Sequence, residues 1–114
     1  MPGRVVLFVS HGDASALRLA GSCVLAAASM GDRVDVFLFG AAVSAVVEGH
    51  GDAEHPSSLL QQARTGGGCR LLGCSATVVA EKVDPAAADR ALDAVIGWPT
   101  VMEWSRGVVD RFFF

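Results

Sequence analysis

The sequence predicts an α/β fold, a three-layer α/β sandwich around a mostly parallel sheet of about five strands. Three observations carry the prediction. Apolar runs rich in β-branched residues alternate with Ala- and Leu-rich segments whose apolar positions recur at helical spacing. Asp, Ser and Gly stand where helix caps belong. The 114 residues are 52% apolar and only 18% charged, which fits one domain, residues 1–114, that closes a core without disulfides or metal.

The elements follow in order. Arg4 to Ser10 is a nearly continuous apolar run, the pattern of a strand buried on both faces. His11-Gly12-Asp13 ends it, and Asp13 or Ser15 caps a helix from Ala14 to Met30 with Gly31 as its C-terminal stop. Arg33 to Phe39 is a second strand closed by Gly40, and Ala41 to Glu48 a short helix. Gly49 to Pro56 is a polar loop; Ser57 or Ser58 then caps a helix to about Arg64, broken by Thr65-Gly66-Gly67-Gly68. Cys69 to Gly73 is the third strand and Ser75 to about Ala80 a short helix. Asp84-Pro85 opens a helix to about Ala94, since an Asp cap followed by Pro in the first turn is a start signal. Val95-Ile96 is a brief fourth strand, Pro99 to Arg106 a last helix, and Val108 to Phe114 a terminal strand. The alternation implies βαβ units and helices on both faces of the sheet.

Composition also excludes. The net charge of −3 and the lack of a Lys/Arg run argue against nucleic acid as a partner. No apolar stretch reaches the roughly 18 residues a membrane span needs. Met1-Pro2-Gly3-Arg4-Val5 leads straight into a strand pattern without the segments of a signal peptide, so a cytoplasmic, reducing setting is expected. Cys23, Cys69 and Cys74 are then free thiols.

Ligands of parallel sheets bind outside the carboxyl ends of the strands, where helix N-termini gather. Two chemically able residues fall there. Cys74 ends the apolar run Leu71-Leu72-Gly73 at a strand-to-helix corner, where helix N–H groups favour a thiolate. His11 follows the first strand. It reads as a partner for that thiolate if strands one and three are adjacent, or as a turn residue hydrogen-bonded to backbone. Phe113 and Phe114 end at the same face and wall the site or pack between subunits.

Other candidates weigh less. Cys23 falls on or beside the buried stripe of its helix, and Cys69, at the far end of the third strand, reads as structural. An odd separation puts Cys69 and Cys74 on opposite sheet faces. Gly66-Gly67-Gly68 precedes a strand instead of following one, so it is a turn and not a phosphate loop. His50, Asp52, Glu54 and His55 have no spacing that aims metal ligands; their loop is solvated, or folds over Cys74. Trp98 and Trp104 flank one helix as core or interface residues.

The order of motifs resembles the DsrE/DsrF-like family, which includes the Tus sulfur-relay subunits, over nearly the whole chain. Ser10-His11-Gly12-Asp13 and the Ala-rich helix match its opening. Met30-Gly31-Asp32 into Val34-Asp35-Val36-Phe37-Leu38-Phe39-Gly40 resembles its "MGD-VTVFFTG" stretch. Leu72-Gly73-Cys74-Ser75-Ala76-Thr77 stands where many members carry "AC-x-x-S", with Thr77 here in place of that Ser. Ile96-Gly97-Trp98 and Val109-Asp110-Arg111-Phe112-Phe113-Phe114 resemble its close. The resemblance implies a flavodoxin-like α/β fold, a homo-oligomer or hetero-oligomer, and a sulfurtransferase-type carrier in which Cys74 accepts a persulfide sulfur from a donor protein and yields it to an acceptor. It implies no cofactor. The competing expectation is a non-catalytic, oligomeric subunit of the same fold that binds a small ligand or serves assembly. A thiol redox enzyme is disfavoured, because neither Cys23 nor Cys69 is placed to resolve Cys74.

Overall fold

Each predicted apolar run becomes a strand in the computed structural model, which describes residues 3–108 and 110–114. Met1, Pro2 and Val109, the last inside the expected terminal strand, lie outside the described residues. The order is β1 (Arg4–Val9), α1 (Ala14–Ser29), β2 (Arg33–Leu38), α2 (Ala41–Glu48), α3 (Ser58–Thr65), β3 (Arg70–Cys74), α4 (Ser75–Ala80), α5 (Pro85–Ala91), β4 (Ala94–Ile96), α6 (Trp98–Trp104) and β5 (Asp110–Phe113).

Local chemistry sets these bounds. Asp13 accepts the Ala16 N–H at 3.2 Å and Asp84 the Ala87 N–H at 3.1 Å, so both expected Asp caps form. Gly31 takes the left-handed φ of +83° that ends α1. Ser57 does not cap α3; its hydroxyl lies 2.8 Å from His55 Nδ1 instead. The helix expected to reach Ala94 stops at Ala91. Leu92 is extended, and Asp93 pairs with Leu71 both ways: its N–H donates to the Leu71 carbonyl and its carboxylate accepts the Leu71 N–H. That clamp starts β4. α6 begins one residue earlier than expected, at Trp98, and ends two residues sooner, at Trp104.

The five strands form one parallel sheet in the order β4-β3-β2-β1-β5. The connections step in one direction from β1 to β4, and then the chain returns across the sheet to place β5 beside β1. With right-handed crossovers, steps in one direction put their helices on one face and the return step puts its helix on the other.

The two cores follow that rule. The first joins Leu7, Val9, Val36, Leu38 and Leu71 to Leu17, Val24, Val43, Leu60 and Ala88 from α1, α2, α3 and α5, with Val78 of α4 at its margin. Leu71 is fully buried there, and truncating such a side chain to Ala costs about 2–5 kcal/mol. The second core is small: Val6, Phe37 and Leu72 under Val101 of α6, flanked by Phe8, Phe39, Ile96 and Trp104. The outer layers are therefore unequal. Five helices cover one face and α6 alone the other, leaving Phe113 73% and Trp98 53% exposed.

At the amino end of the second face a charge row replaces apolar packing. Asp35, buried in β2, is reached by Arg70 from β3 at 2.8 Å and by Arg4 from β1 at 3.1 Å. Arg4 also donates to the Trp104 carbonyl, and the Arg70 guanidinium lies 4.7 Å from the centre of the Trp104 ring, which docks the end of α6. Burial opposes ionisation of Asp35, but the hydrogen bonds from Arg70 and Arg4 outweigh it and hold the carboxyl below its ordinary value.

Candidate functional site

The reversal in the chain path defines a site. At their carboxyl ends, β3 leads into α4 and α5 on the first face, while its neighbour β4 leads into α6 on the second. Adjacent strands whose connections part to opposite faces open a crevice, the topological switch point of a parallel sheet. Cys74 is the last residue of β3, paired with Ile96 at the end of β4, and therefore stands at that point.

Cys74 is also the N-cap residue of α4, and its side chain makes no capping hydrogen bond. It shares sheet parity with Leu72, so its thiol lies on the second, aromatic face. The β2–β3 register ends at Leu38 opposite Gly73, and one step further brings Phe39 level with Cys74. The helix-side neighbour Gly73 has no room for a side chain, since a Cβ there would meet Leu92 Cδ1 at 2.7 Å. Cys74 itself is only 4% exposed.

One hydrogen bond ties the corner. The Gly40 N–H donates to Thr77 Oγ1 at 3.2 Å, tying the start of α2 to the first turn of α4. Gly40 has a φ of +51°, which a side chain rarely allows. Across the crevice, Gly97 lies beside Ser75, where a Cβ would make an ordinary 3.5 Å contact with Ser75 Oγ. Phe39 and Trp98, the residues beside Gly40 and Gly97, stack with ring centres 4.6 Å apart and planes 14° apart.

From that pair a row of rings runs along the edge. Phe8 stacks on Phe39 at 6.1 Å and on Phe113 at 5.1 Å. These four rings with Ser10, His11 and Phe114 line an apolar cavity of about 350 Å³. The expectation that Phe113 and Phe114 wall the edge matches this lining. The roles of Phe8, Phe39 and Trp98 were not read from sequence, although alternate apolar positions reaching the same strand ends were the available signal.

His11 sits at the mouth of this cavity, its Nδ1 3.4 Å from Ser10 Oγ. β2 lies between β1 and β3, so the adjacency on which a direct His11–Cys74 pairing depended is not met. Two strand spacings put their backbones about 10 Å apart.

The other thiols are set differently. Burial, aided by Asp93, pushes the Cys69 thiol up to about 12, and burial also raises that of Cys23. Both pack against the first core, and all three cysteines are free.

The His50–His55 loop does not reach Cys74. With α3 it lines a separate cavity of about 560 Å³ that takes in His50 and Asp52. His55 is turned inward, where its Nδ1 accepts the Ser57 N–H at 3.1 Å. Among the described residues, no three His, Cys, Asp or Glu side chains converge as metal ligands, and no helix is long and apolar enough to cross a membrane.

With this geometry in place, the chain can be set beside known proteins. The DsrE/DsrF-like family model matches residues 3–106. The chain belongs to the DsrE/DsrF-like family. Among solved structures, this DsrE/DsrF-like chain is similar to the protein of unknown function MTH1491 from Methanobacterium thermoautotrophicum, with a TM-score of 0.71 and 24% identity over 96% of this chain and 98% of that one. It is also similar to the ychN protein from E. coli, with a TM-score of 0.72 and 16% identity over 100% of both chains. At these identities both likenesses concern the fold alone. A comparison with curated proteins finds no match.

Proposed function

We propose that this DsrE/DsrF-like protein is a sulfur-relay carrier that accepts and passes on persulfide sulfur at Cys74. The observation that carries the reading is the position of Cys74 at the topological switch point, at the end of β3 and one register step past Gly73, level with Phe39. In the accepting step, the Cys74 thiolate attacks the terminal sulfur of a donor persulfide. A new S–S bond forms at Cys74 Sγ, the donor's S–S bond breaks, and the donor leaves as a thiolate with no net redox change. An acceptor thiolate reverses the step. No cofactor takes part. His11, at the crevice mouth, supplies or accepts a proton for the departing or arriving thiol without touching Sγ. The donor and acceptor proteins meet the aromatic edge.

The same reading takes the protein as a cytoplasmic homo-oligomer. Phe112 and Phe113 are 41% and 73% exposed on edge strand β5, and an uncovered apolar edge favours self-association.

The test is persulfide loading from a low-molecular-weight persulfide, followed by intact-mass and peptide spectrometry. Cys74 is expected to gain one sulfur atom and pass it to an added thiol. A Cys74→Ser protein that folds yet loads as well as the parent overturns the assignment.

A second reading keeps the fold and drops the chemistry: a non-catalytic oligomeric subunit whose crevice holds a small ligand or a partner. The 4% exposure of Cys74 favours it. Failure to load any persulfide, together with saturable binding in the crevice, decides for this reading.

A further inference from the structure

We infer that Trp98 is the residue that decides which reagents reach Cys74, and so sets the specificity of the edge site. The inference deepens the carrier reading and rests on it only for its biological meaning; the geometry stands by itself.

Trp98 leaves the end of β4, yet its ring stacks on Phe39 at the end of β2. Those strands are not neighbours, because β3 lies between them and ends at Cys74. To bridge roughly 10 Å from β4 to β2, the Trp98–Phe39 pair crosses the tip of β3. The pair lies on the right side of the sheet to cover the thiol. Phe39 and Ile96 border the second core, Cys74 shares their parity, and α6, which carries Trp98, packs on that face. The approach of Gly97 to Ser75 and the Gly40–Thr77 hydrogen bond bring both ends of the bridge onto the residues that follow Cys74. The exposures agree with such a cover: Cys74 is 4% exposed and Trp98 53%.

This cover is built to move. Trp98 belongs to neither buried cluster and opens α6, a helix of seven residues held at its other end by Arg4 and Arg70. A rotation of its side chain breaks one aromatic stack and leaves the core in place. The group admitted then meets indole and phenyl rings before it meets sulfur. Small, neutral or apolar sulfur compounds, such as an alkyl persulfide, are favoured over bulky anions.

The test compares alkylation of Cys74 by iodoacetamide, small and neutral, with its reaction with Ellman's reagent, large and dianionic. Each rate is mapped to the residue in the parent and in Trp98→Ala, Trp98→Phe and Leu19→Ala proteins. Trp98→Ala is expected to raise both rates by about fivefold or more, with the larger gain for Ellman's reagent. Trp98→Phe is expected to restore most of the protection and selectivity, and Leu19→Ala, at an exposed position of α1 outside the edge site, to change neither rate. Should Trp98→Ala fail to fold, Trp98→Leu, which keeps an apolar side chain but removes the ring, decides by the same two criteria. Rates within about twofold of the parent in Trp98→Ala, or an equal gain for both reagents, overturn the inference. An exposed Cys74 in Trp98→Ala that still loads no persulfide overturns the carrier function instead and leaves Trp98 as the gate.

Discussion

The two ends of β3 solve opposite problems. At the amino end Cys69 is sealed against the first core, while Arg70 and the Asp35 carboxylate it reaches form an ion pair that Arg4 completes. Every strong group there is spent on another, and nothing is left to react. At the carboxyl end Cys74 has no capping bond, its strand partner is the apolar Ile96, and the connections of β3 and β4 part around it. The amino end holds the sheet together with charge. The carboxyl end leaves a thiol behind an apolar cover. The difference teaches that chemical identity does not set the role of a cysteine here, since one strand separates a structural thiol from a candidate nucleophile.

The sharpest way to break the amino end is Asp35→Ala. It leaves Arg4 and Arg70 without their shared partner inside the sheet. Loss of one partner of a fully buried pair costs about 3–5 kcal/mol. The two arginine side chains are 31% and 44% exposed, so water takes back part of that, and about 2 kcal/mol is expected. Urea unfolding measures it. The carboxyl end should not notice: Cys74 alkylation in the folded protein is expected to match the parent's. The same carboxylate carries an acid limb. Its folded-state pKa is depressed, so its contribution to stability is complete above the ordinary Asp range near 4 and is lost as pH falls through the lower folded value. Asp35→Asn should flatten that limb of the stability curve.

Much of this contrast was legible in the sequence where the determinants are local. The Asp13 and Asp84 caps, the Gly31 stop and the corner at Cys74 each depend on a few neighbouring residues, and the pattern displays them. Strand order is different. β5 pairs with β1 across about a hundred residues, and nothing local in Arg111-Phe112-Phe113 says which strand it will meet. The fate of His11 hung on that order, as did the meeting of Trp98 with Phe39. Asp35 was readable in part. A lone carboxylate inside Val34-Asp35-Val36-Phe37 demands cations, and Arg4 and Arg70 each open a strand. Which strands adjoin β2 was again the missing fact.

The two thiols themselves give the next test. Burial pushes Cys69 up to about 12, so in the folded protein it is expected to stay unalkylated through neutral and mildly alkaline pH. Because its folded value is raised, the linked stability is whole below the ordinary thiol range near 9 and declines as pH climbs from there toward 12. Cys69→Ala keeps a small apolar side chain in the first core and removes the ionisable group. It is expected to cost about 1 kcal/mol at neutral pH and to remove the alkaline decline above pH 9, while persulfide loading at Cys74 is unchanged. Loss of loading in this variant would erase the distinction between the two ends of the strand.

The smallest expected effect belongs to His11. β2 stands between its strand and β3, so its imidazole does not form the thiolate's ion pair, and its work is confined to protons at the crevice mouth. His11→Ala should therefore slow persulfide loading by less than about tenfold, well short of the loss from Cys74→Ser. Alkylation of Cys74 separates the two roles. If His11 only relays a proton, loading slows while the rate of Cys74 alkylation, which needs no relay, stays as in the parent. If alkylation slows as well, the imidazole is stabilising the thiolate across β2, and the carboxyl edge is then a charge-coupled site like the amino end and not the apolar one its rings describe.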